Sequence, residues 1–77
     1  MNRLSRFEAY RYVGARDTMR FYDCDDEAQF DEISARARDD GLIGRNLIQV
    51  FAPDSPLEAM NRGFRPAVEE DQAVSNP

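Results

Sequence analysis

The sequence predicts a small α+β domain with the element order β-β-α-β-α. Two runs rich in aromatic and apolar residues near the N-terminus are typical of strands, and a capped helical pattern follows them. With 77 residues, the chain has room for one domain, which we place at residues 1–66. We expect a three-stranded, mainly antiparallel sheet with one long helix packed on one face and a short C-terminal helix.

The first two strands are predicted to form a hairpin. Residues 6–13 and 18–24 have the aromatic and apolar content of strands. Residues 14–17 between them have the composition of a turn, which favours a direct connection between neighbouring antiparallel strands.

The register of the hairpin decides which surface becomes the core. Placing Val13 opposite Thr18 would set two arginines against each other, which is unfavourable, so we expect Val13 opposite Asp17 or Met19. The face expected under the long helix contains Phe7, Ala9, Val13, Met19 and Phe21, with Arg11 as an odd member. The other face is then expected to contain Glu8, Tyr10, Tyr12, Thr18, Arg20, Tyr22 and Cys24.

Residues 26–40 are predicted as the long helix. Asp26 is a good N-cap, and Gln29 stands where a capping box needs it. The apolar stripe consists of Phe30, Ile33 and Ala37. Gly41 fits the left-handed position that ends many helices, and Leu42 supplies the apolar contact that accompanies such an ending.

The third strand and the second helix follow. Residues 46–52 are apolar enough for a strand, and Pro53 ends it because proline cannot donate to a ladder. Ser55 and Pro56 then match the cap and first position of a short helix that closes at Gly63. Residues 67–77 are acidic and polar, and we expect a disordered tail there.

The composition argues against catalysis. The chain has no histidine, all ten of its basic residues are arginine, and Cys24 is its single cysteine. Histidine is the ordinary general base at neutral pH, lysine forms Schiff bases, and a cysteine nucleophile needs an activating partner. We therefore expect no enzyme activity and no cofactor.

The acidic run at residues 23–27 superficially resembles a site for a hard cation. A calcium loop of the EF-hand type needs a glycine at its sixth position and a glutamate at its twelfth, and neither is in place. Carboxylates also collect at helix N-termini, where they satisfy free N–H groups. We expect capping at this run and no metal.

Charge is unevenly distributed along the chain, whose net charge is −5. Residues 1–22 carry five arginines and two carboxylates, a balance of +3, whereas residues 23–40 carry eight carboxylates and two arginines, a balance of −6. Residues 1–11 have no apolar segment of the kind found in secretory signals, so we expect no signal peptide, and no run is apolar enough to predict a membrane span. A lone cysteine fits a reducing compartment. We expect a cytoplasmic protein, of a kind that a host, a phage or a mobile element can encode.

Two surfaces are candidates for partner binding. The first is the far face of the hairpin, where tyrosine and arginine, the residues that dominate interface energetics, are expected together. The second is the acidic outer side of the long helix, whose ordinary explanation is a solvated face. The candidate partner-binding residues are Tyr10, Tyr12, Arg20, Tyr22, Asp31, Glu32, Asp39 and Asp40.

The predicted function is a small non-enzymatic protein-interaction module, accessory or inhibitor-like. It would bind a larger protein, or a second copy of itself as a homodimer, through the Tyr/Arg face and the acidic helix. The alternative is a module for single-stranded nucleic acid, whose bases stack on aromatic residues flanked by arginine. The acidic net charge disfavours nucleic acid, because affinity for its backbone depends on positive charge.

Overall fold

One mixed sheet of four strands organises the protein, whose computed structural model describes residues 2–68. The elements are β1 (Tyr12–Ala15), β2 (Arg20–Asp23), α1 (Glu27–Asp39), β3 (Ile48–Val50), α2 (Pro56–Asn61) and β4 (Arg65–Pro66). The strand order is β3-β1-β2-β4, with β1 antiparallel to both of its neighbours and β4 parallel to β2. The α+β class and the two helices are confirmed. The predicted three-stranded, mainly antiparallel sheet is correct only in part, because the prediction omitted β4, which pairs parallel to β2 at the edge of the sheet.

The extra strand, β4, is held at the edge of the sheet by alternate residues. The Arg65 amide donates to the Met19 carbonyl at 2.9 Å, and the Ala67 amide donates to the Phe21 carbonyl at 2.8 Å. Pro66 lies between them, and an edge strand tolerates its missing N–H. Most of the predicted tail, residues 69–77, lies outside the described residues.

The hairpin differs from the prediction in both strand bounds and register. Val13 pairs with Tyr22, and Gly14 pairs with Phe21, so the expected pairing of Val13 with Asp17 or Met19 is wrong. The strand continues through positions 14 and 15, which had the composition of a turn. Residues 16–19 make the connection instead, and the Met19 amide donates to the Ala15 carbonyl at 2.8 Å.

The N-terminal part of the predicted first strand is folded into turns. The Phe7 amide donates to the Leu4 carbonyl, and the Tyr10 amide donates to the Phe7 carbonyl, each at 3.0 Å. Arg6 has a φ of +76°, which an extended strand does not permit. The ladder therefore begins only at Tyr12.

The observed register sends different residues to each face of the sheet. The core on the α1 side includes Val13, Ala15, Tyr22, Ile33 and Ile48. The core on the α2 side consists of Phe21, Phe51, Ala59 and Phe64. The expected helix-facing set is split, because Phe21 lies on the α2 side and Met19 is exposed in the turn. The two helices thus cover opposite faces, and both faces of the sheet are covered.

The start and the end of α1 agree with the sequence. The Asp26 side chain accepts hydrogen bonds from the amides of Ala28 and Gln29. The Gln29 carbonyl oxygen accepts from the Asp23 amide at 2.9 Å, so this side chain ties the helix to β2 rather than closing a capping box. Gly41 has the expected positive φ of +63°.

The apolar stripe of α1 is buried unevenly. Ile33 is fully buried, while Phe30 and Ala37 remain partly exposed. Leu42, directly after the helix end, is also fully buried. The helix is therefore fixed to the sheet chiefly at its centre and just beyond its C-terminus.

The short helix α2 forms as predicted. The Ser55 side chain accepts from the Glu58 amide at 3.2 Å, and Pro56 occupies the first helical position. Gly63 follows with a φ of +92°, which favours glycine and turns the chain toward β4.

Candidate functional site

The three tyrosines of the expected Tyr/Arg surface do not share a face. Tyr22 lies beneath α1 with only 3% of its surface exposed, and its hydroxyl lies 3.4 Å from Oε2 of Glu32. Tyr12 points to the opposite face, where its ring meets Phe21 edge-on with a centroid distance of 6.2 Å. Tyr10 is partly buried against the α1-side core. The Tyr/Arg surface is therefore not assembled, because the register moves Tyr22 into the core.

Arg20 supports the edge of the sheet. It lies directly opposite Arg65 in the β2–β4 pair, and its Nη1 donates to the Pro66 carbonyl at 3.1 Å. This bond braces the two-residue strand β4, which has few ladder bonds of its own. Arg20 thus has a structural contact that accounts for its position.

The acidic residues of α1 fall into two groups. Asp40 pairs with Arg36 at 2.9 Å, and Asp39 pairs with Arg38 at 3.2 Å, so the C-terminal acids have cationic neighbours. Asp31 is exposed and has no ion pair within residues 2–68. Glu32 is also exposed, and its contact is the Tyr22 hydroxyl. Asp31 and Glu32 thus have no arginine partner within residues 2–68, and Asp39, 66% exposed, has only a weakly held one.

The basic front end of the chain pairs with the acidic run that follows β2. Arg11 makes two hydrogen bonds to the Asp23 carboxylate, at 2.8 and 3.0 Å, and Arg3 contacts Asp25 at 2.7 Å. Asp26 is occupied as the helix cap. Within the part of the chain that the structure describes, no cluster of three or more potential metal ligands could hold an ion. The opposite charges along the sequence therefore bind the N-terminal segment to the domain.

A second ion pair ties α1 to the hairpin connection. Arg36 donates to both oxygens of Asp17, with Nη1 at 3.1 Å from Oδ1. These hydrogen bonds hold the pKa of Asp17 below its usual value, just as those from Arg11 lower the pKa of Asp23. Both carboxyls therefore remain ionised to unusually low pH.

We expect acid to weaken the fold through these pairs. A carboxyl whose pKa is lowered by folding stabilises the fold fully above its unfolded pKa, about 3.9 for aspartate. That contribution is lost as the pH falls through the folded pKa. Replacing Arg36 with glutamine should remove about 0.5–1 kcal/mol at neutral pH and flatten the acid limb of the stability profile.

The measurement is the urea midpoint at a series of pH values from 6 to about 2. Arg45→Gln is the control, because the Arg45 guanidinium donates to the Asp40 carbonyl oxygen at 3.2 Å and forms no ion pair with a carboxylate within residues 2–68. If the urea midpoint falls with decreasing pH equally for Arg36→Gln and for the wild-type chain, the ion pair between Arg36 and Asp17 does not cause the loss of stability in acid.

Cys24 is placed where its thiol is inert. The residue is fully buried, and desolvation raises its pKa to about 11, with the carboxylates of Asp23 and Asp25 acting in the same direction. The thiolate is the reactive form of cysteine. At neutral pH the thiol is therefore protonated and covered.

The short helix α2 presents its large apolar side chains to solvent. Ala59 is fully buried, whereas Leu57 is 66% exposed and Met60 is 48% exposed. Leu57 and Met60 are three residues apart and therefore neighbours on one side of the helix. The helix thus fills the core with its smallest apolar side chain and leaves its larger ones outside.

Met19 extends this exposed strip beyond the helix. Its side chain is 39% exposed, and its Cε lies 3.6 Å from where a Cβ on Gly63 would stand. The Gly63 amide in turn donates to the Met60 carbonyl at 3.0 Å, which places both methionines beside the turn that follows α2. We call Leu57, Met60 and Met19 the α2 surface.

The sequence analysis missed the α2 surface. The spacing of Leu57, Ala59 and Met60 shows that only part of this set can face the core, but it leaves open which part. Phe51 and Phe64 decide the matter, because their rings fill the α2-side core and leave room only for alanine. The sequence signal that could have indicated this arrangement is the presence of two phenylalanines, Phe51 and Phe64, on either side of the helix, since their rings already supply much of the core volume.

These features define a class of protein by fold: a small α+β domain with one helix on each face of a mixed sheet. Comparisons with protein-family models, with curated proteins and with solved structures found no match to this chain. Among the described residues, no helix has the length and apolarity needed to cross a bilayer. The surfaces of the chain itself are therefore what indicates its function.

Proposed function

We propose that this chain is a small non-enzymatic protein-interaction module whose principal contact is the α2 surface. The partner is a larger protein with an apolar groove that receives Leu57 and Met60. One observation carries the proposal: α2 buries Ala59 and exposes both larger residues. Apolar side chains that stay exposed next to one another favour association with a second apolar surface, which removes them from water.

The chemistry of the strip suits insertion into a groove. Anchors three residues apart on one helical side are the usual pattern when an amphipathic helix lies in an apolar groove. Two of the three side chains are methionine, whose flexible thioether adapts to irregular surfaces and is common at binding faces. The Glu58–Arg62 pair, at 2.8 Å, provides a polar border to the strip.

The acidic ridge of α1 lies on the opposite face of the sheet from α2. A flat partner that covers Leu57 cannot also touch Asp31, so the two surfaces predicted to act together are independent contacts. We assign the apolar strip the principal role, because burial of apolar surface drives most protein association, and exposed charges mainly adjust its rate and specificity.

The nucleic-acid alternative depended on tyrosines standing together beside arginine. Tyr22 is buried and Tyr12 faces the other way, so the stacking platform of three rings is not formed. What remains is Tyr12 with the Arg11 guanidinium 4.9 Å from its ring centre. We therefore do not advance that alternative further.

The proposal is tested with a matched pair of double variants. Leu57→Ser/Met60→Ser alters the α2 surface, and Asp31→Ser/Asp39→Ser alters exposed positions on the other face. Tagged forms of both, and of the wild-type chain, are used to capture proteins from cells that express it, and the affinity for any captured protein is then measured by calorimetry. We expect the α2 variant to lose at least tenfold in affinity and the α1 variant to change by less than twofold.

The opposite pattern, or equal binding by all three proteins, would overturn the proposal. Unfolding midpoints in urea for the two variants should match that of the wild-type chain, because every altered side chain is exposed; this excludes misfolding as the cause. Light scattering on the purified chain tests self-association. If the wild-type chain is a dimer and Leu57→Ser/Met60→Ser is a monomer, the partner at the α2 surface is a second copy of the chain and not a larger protein.

A further inference from the structure

A groove of about 280 Å³ opens between the N-terminal segment and α1, on the face of the domain opposite α2. Four apolar residues line it: Leu4, Phe30, Ala37 and Ile43. Two arginines, Arg3 and Arg38, and two serines are the other lining residues in the part of the chain that the structure describes. The groove therefore combines an apolar lining with two cationic side chains.

The groove exists because α1 is held at its centre. Ile33 is fully buried against the sheet, whereas Phe30 and Ala37, one turn away in each direction, stay partly exposed. On the other side of the groove, the turns around Arg6 hold the N-terminal segment, and its Leu4 side chain is buried. Helix and segment thus meet below the groove and leave its upper part open.

The charge of the lining is opposite to that of the whole chain. The protein carries a net charge of −5, yet the lining residues between positions 2 and 68 include two guanidinium groups and no carboxylate. Arg3 is engaged by Asp25 at 2.7 Å. Arg38 is 69% exposed, and its pair with Asp39 at 3.2 Å joins two exposed neighbours, an arrangement that contributes little energy. Arg38 is therefore available to a ligand.

We infer that this groove binds the C-terminal residue of a protein partner when that residue has an apolar side chain. The side chain occupies the base formed by Leu4, Phe30 and Ile43, and the terminal carboxylate accepts hydrogen bonds from Arg38. Arginine suits this role because its guanidinium can bind a carboxylate through two parallel hydrogen bonds.

The size of the groove selects this kind of ligand. Pockets for drug-sized molecules run from roughly 300 to 1,000 Å³, so this groove, at about 280 Å³, suits a ligand at the small end of that range, such as a single terminal residue. A C-terminal residue is the place in a polypeptide where a carboxylate and an apolar side chain leave the same carbon atom. The inference does not depend on the proposed role of α2, because the two surfaces lie on opposite faces.

The test is a titration of the full ¹⁵N-labelled chain followed by two-dimensional NMR. The ligands are the peptide Ala-Ala-Leu with a free C-terminus, the same peptide with a C-terminal amide, and N-acetyl-leucine. We expect saturable shifts, at millimolar ligand, in amides at positions 3–5, 30–38 and 43. The amidated peptide should bind at least threefold more weakly, because it lacks the charge that Arg38 recognises.

Two variants locate the interaction. Arg38→Gln should remove the preference for the free carboxylate. Arg16→Gln, which changes an exposed arginine in the hairpin connection away from the groove, should leave that preference unchanged. Absence of saturation, equal affinity for the amidated peptide, or shifts centred outside the groove would each overturn the inference. Tighter binding of N-acetyl-leucine than of Ala-Ala-Leu would also overturn it, since that result points to a small free acid as ligand.

Discussion

Gly14→Ala is expected to destabilise the domain by about 1–3 kcal/mol, the range measured when atoms are forced into a packed core. A Cβ at this position would stand 2.6 Å from Cε2 of Phe64 and 3.0 Å from Cζ of Phe51. Both rings belong to the α2-side core and meet edge-on, with a centroid distance of 5.2 Å. Neither can withdraw without uncoupling α2 from the sheet.

The loss should be large relative to total stability, since small domains are stable by only about 5–15 kcal/mol. Urea unfolding measures it, with Gly44→Ala as control. A Cβ on Gly44 would meet only the Gly41 carbonyl oxygen, at 3.8 Å, so this change should be neutral or stabilise the fold by up to about 1 kcal/mol. Adding Phe64→Leu to Gly14→Ala should restore part of the loss if ring overlap is its cause. Equal midpoints for the two alanine variants would refute the overlap.

Ile33→Ala is expected to cost about 2–5 kcal/mol, as for other large-to-small changes at buried aliphatic positions. Ile33 is the residue of α1 that is fully buried, and it packs among the α1-side core residues, including Val13 and Tyr22. Its removal would leave a cavity beneath the centre of the helix. The partly exposed residues on either side cannot compensate for that lost contact.

Phe30→Ala is the informative comparison for this prediction. Phenylalanine is larger than isoleucine, and truncating a buried one usually costs about 3–5 kcal/mol. Phe30, however, is partly exposed and lines the groove, so its truncation should cost less than Ile33→Ala. Urea unfolding of both variants decides the order. If Phe30→Ala lowers the free energy of unfolding more than Ile33→Ala does, α1 packs against the domain as closely at Phe30 as at Ile33, and the groove is closed in solution.

Helix ends were predictable from the sequence because their chemistry is local. Asp26 is followed within three residues by the amides that it caps, and Ser55 by the Glu58 amide. Gly41 and Gly63 both adopt the positive φ that a position after a helix favours. Each of these interactions joins residues that are close in sequence, so composition alone reveals them.

The hairpin register was not predictable in the same way. Gly14 and Ala15 have the composition of a turn, but Gly14 lies within β1 because the Phe64 ring covers it from fifty positions along the chain. The pairing of β4 escaped prediction for a similar reason. Two residues, one of them Pro66, give no strand pattern, and their partner β2 is distant in sequence.

The predicted Tyr/Arg surface was wrong because the predicted register of β1 and β2 was wrong. Tyrosines assigned to an open face were separated when Tyr22 moved into the core, and the surface that replaced them depends on which apolar residue of α2 faces inward. The ion pairs were partly foreseeable, because a basic front end and an acidic run had opposite balances. Which partners meet, such as Arg11 with Asp23, requires the fold.

The position of Phe64 also has a consequence for how the chain is made. Synthesis proceeds from the N-terminus, so the hairpin and α1 exist before Phe64 does. The buried residues of the α1-side core all precede Phe64, whereas Phe21 and Phe51, on the other side, still lack the last ring of their cluster. Nascent chains with such uncovered apolar surface are prone to aggregate and engage chaperones. Until Phe64 has been added and has left the ribosome, the α2 side of the sheet lacks one of the rings that cover it.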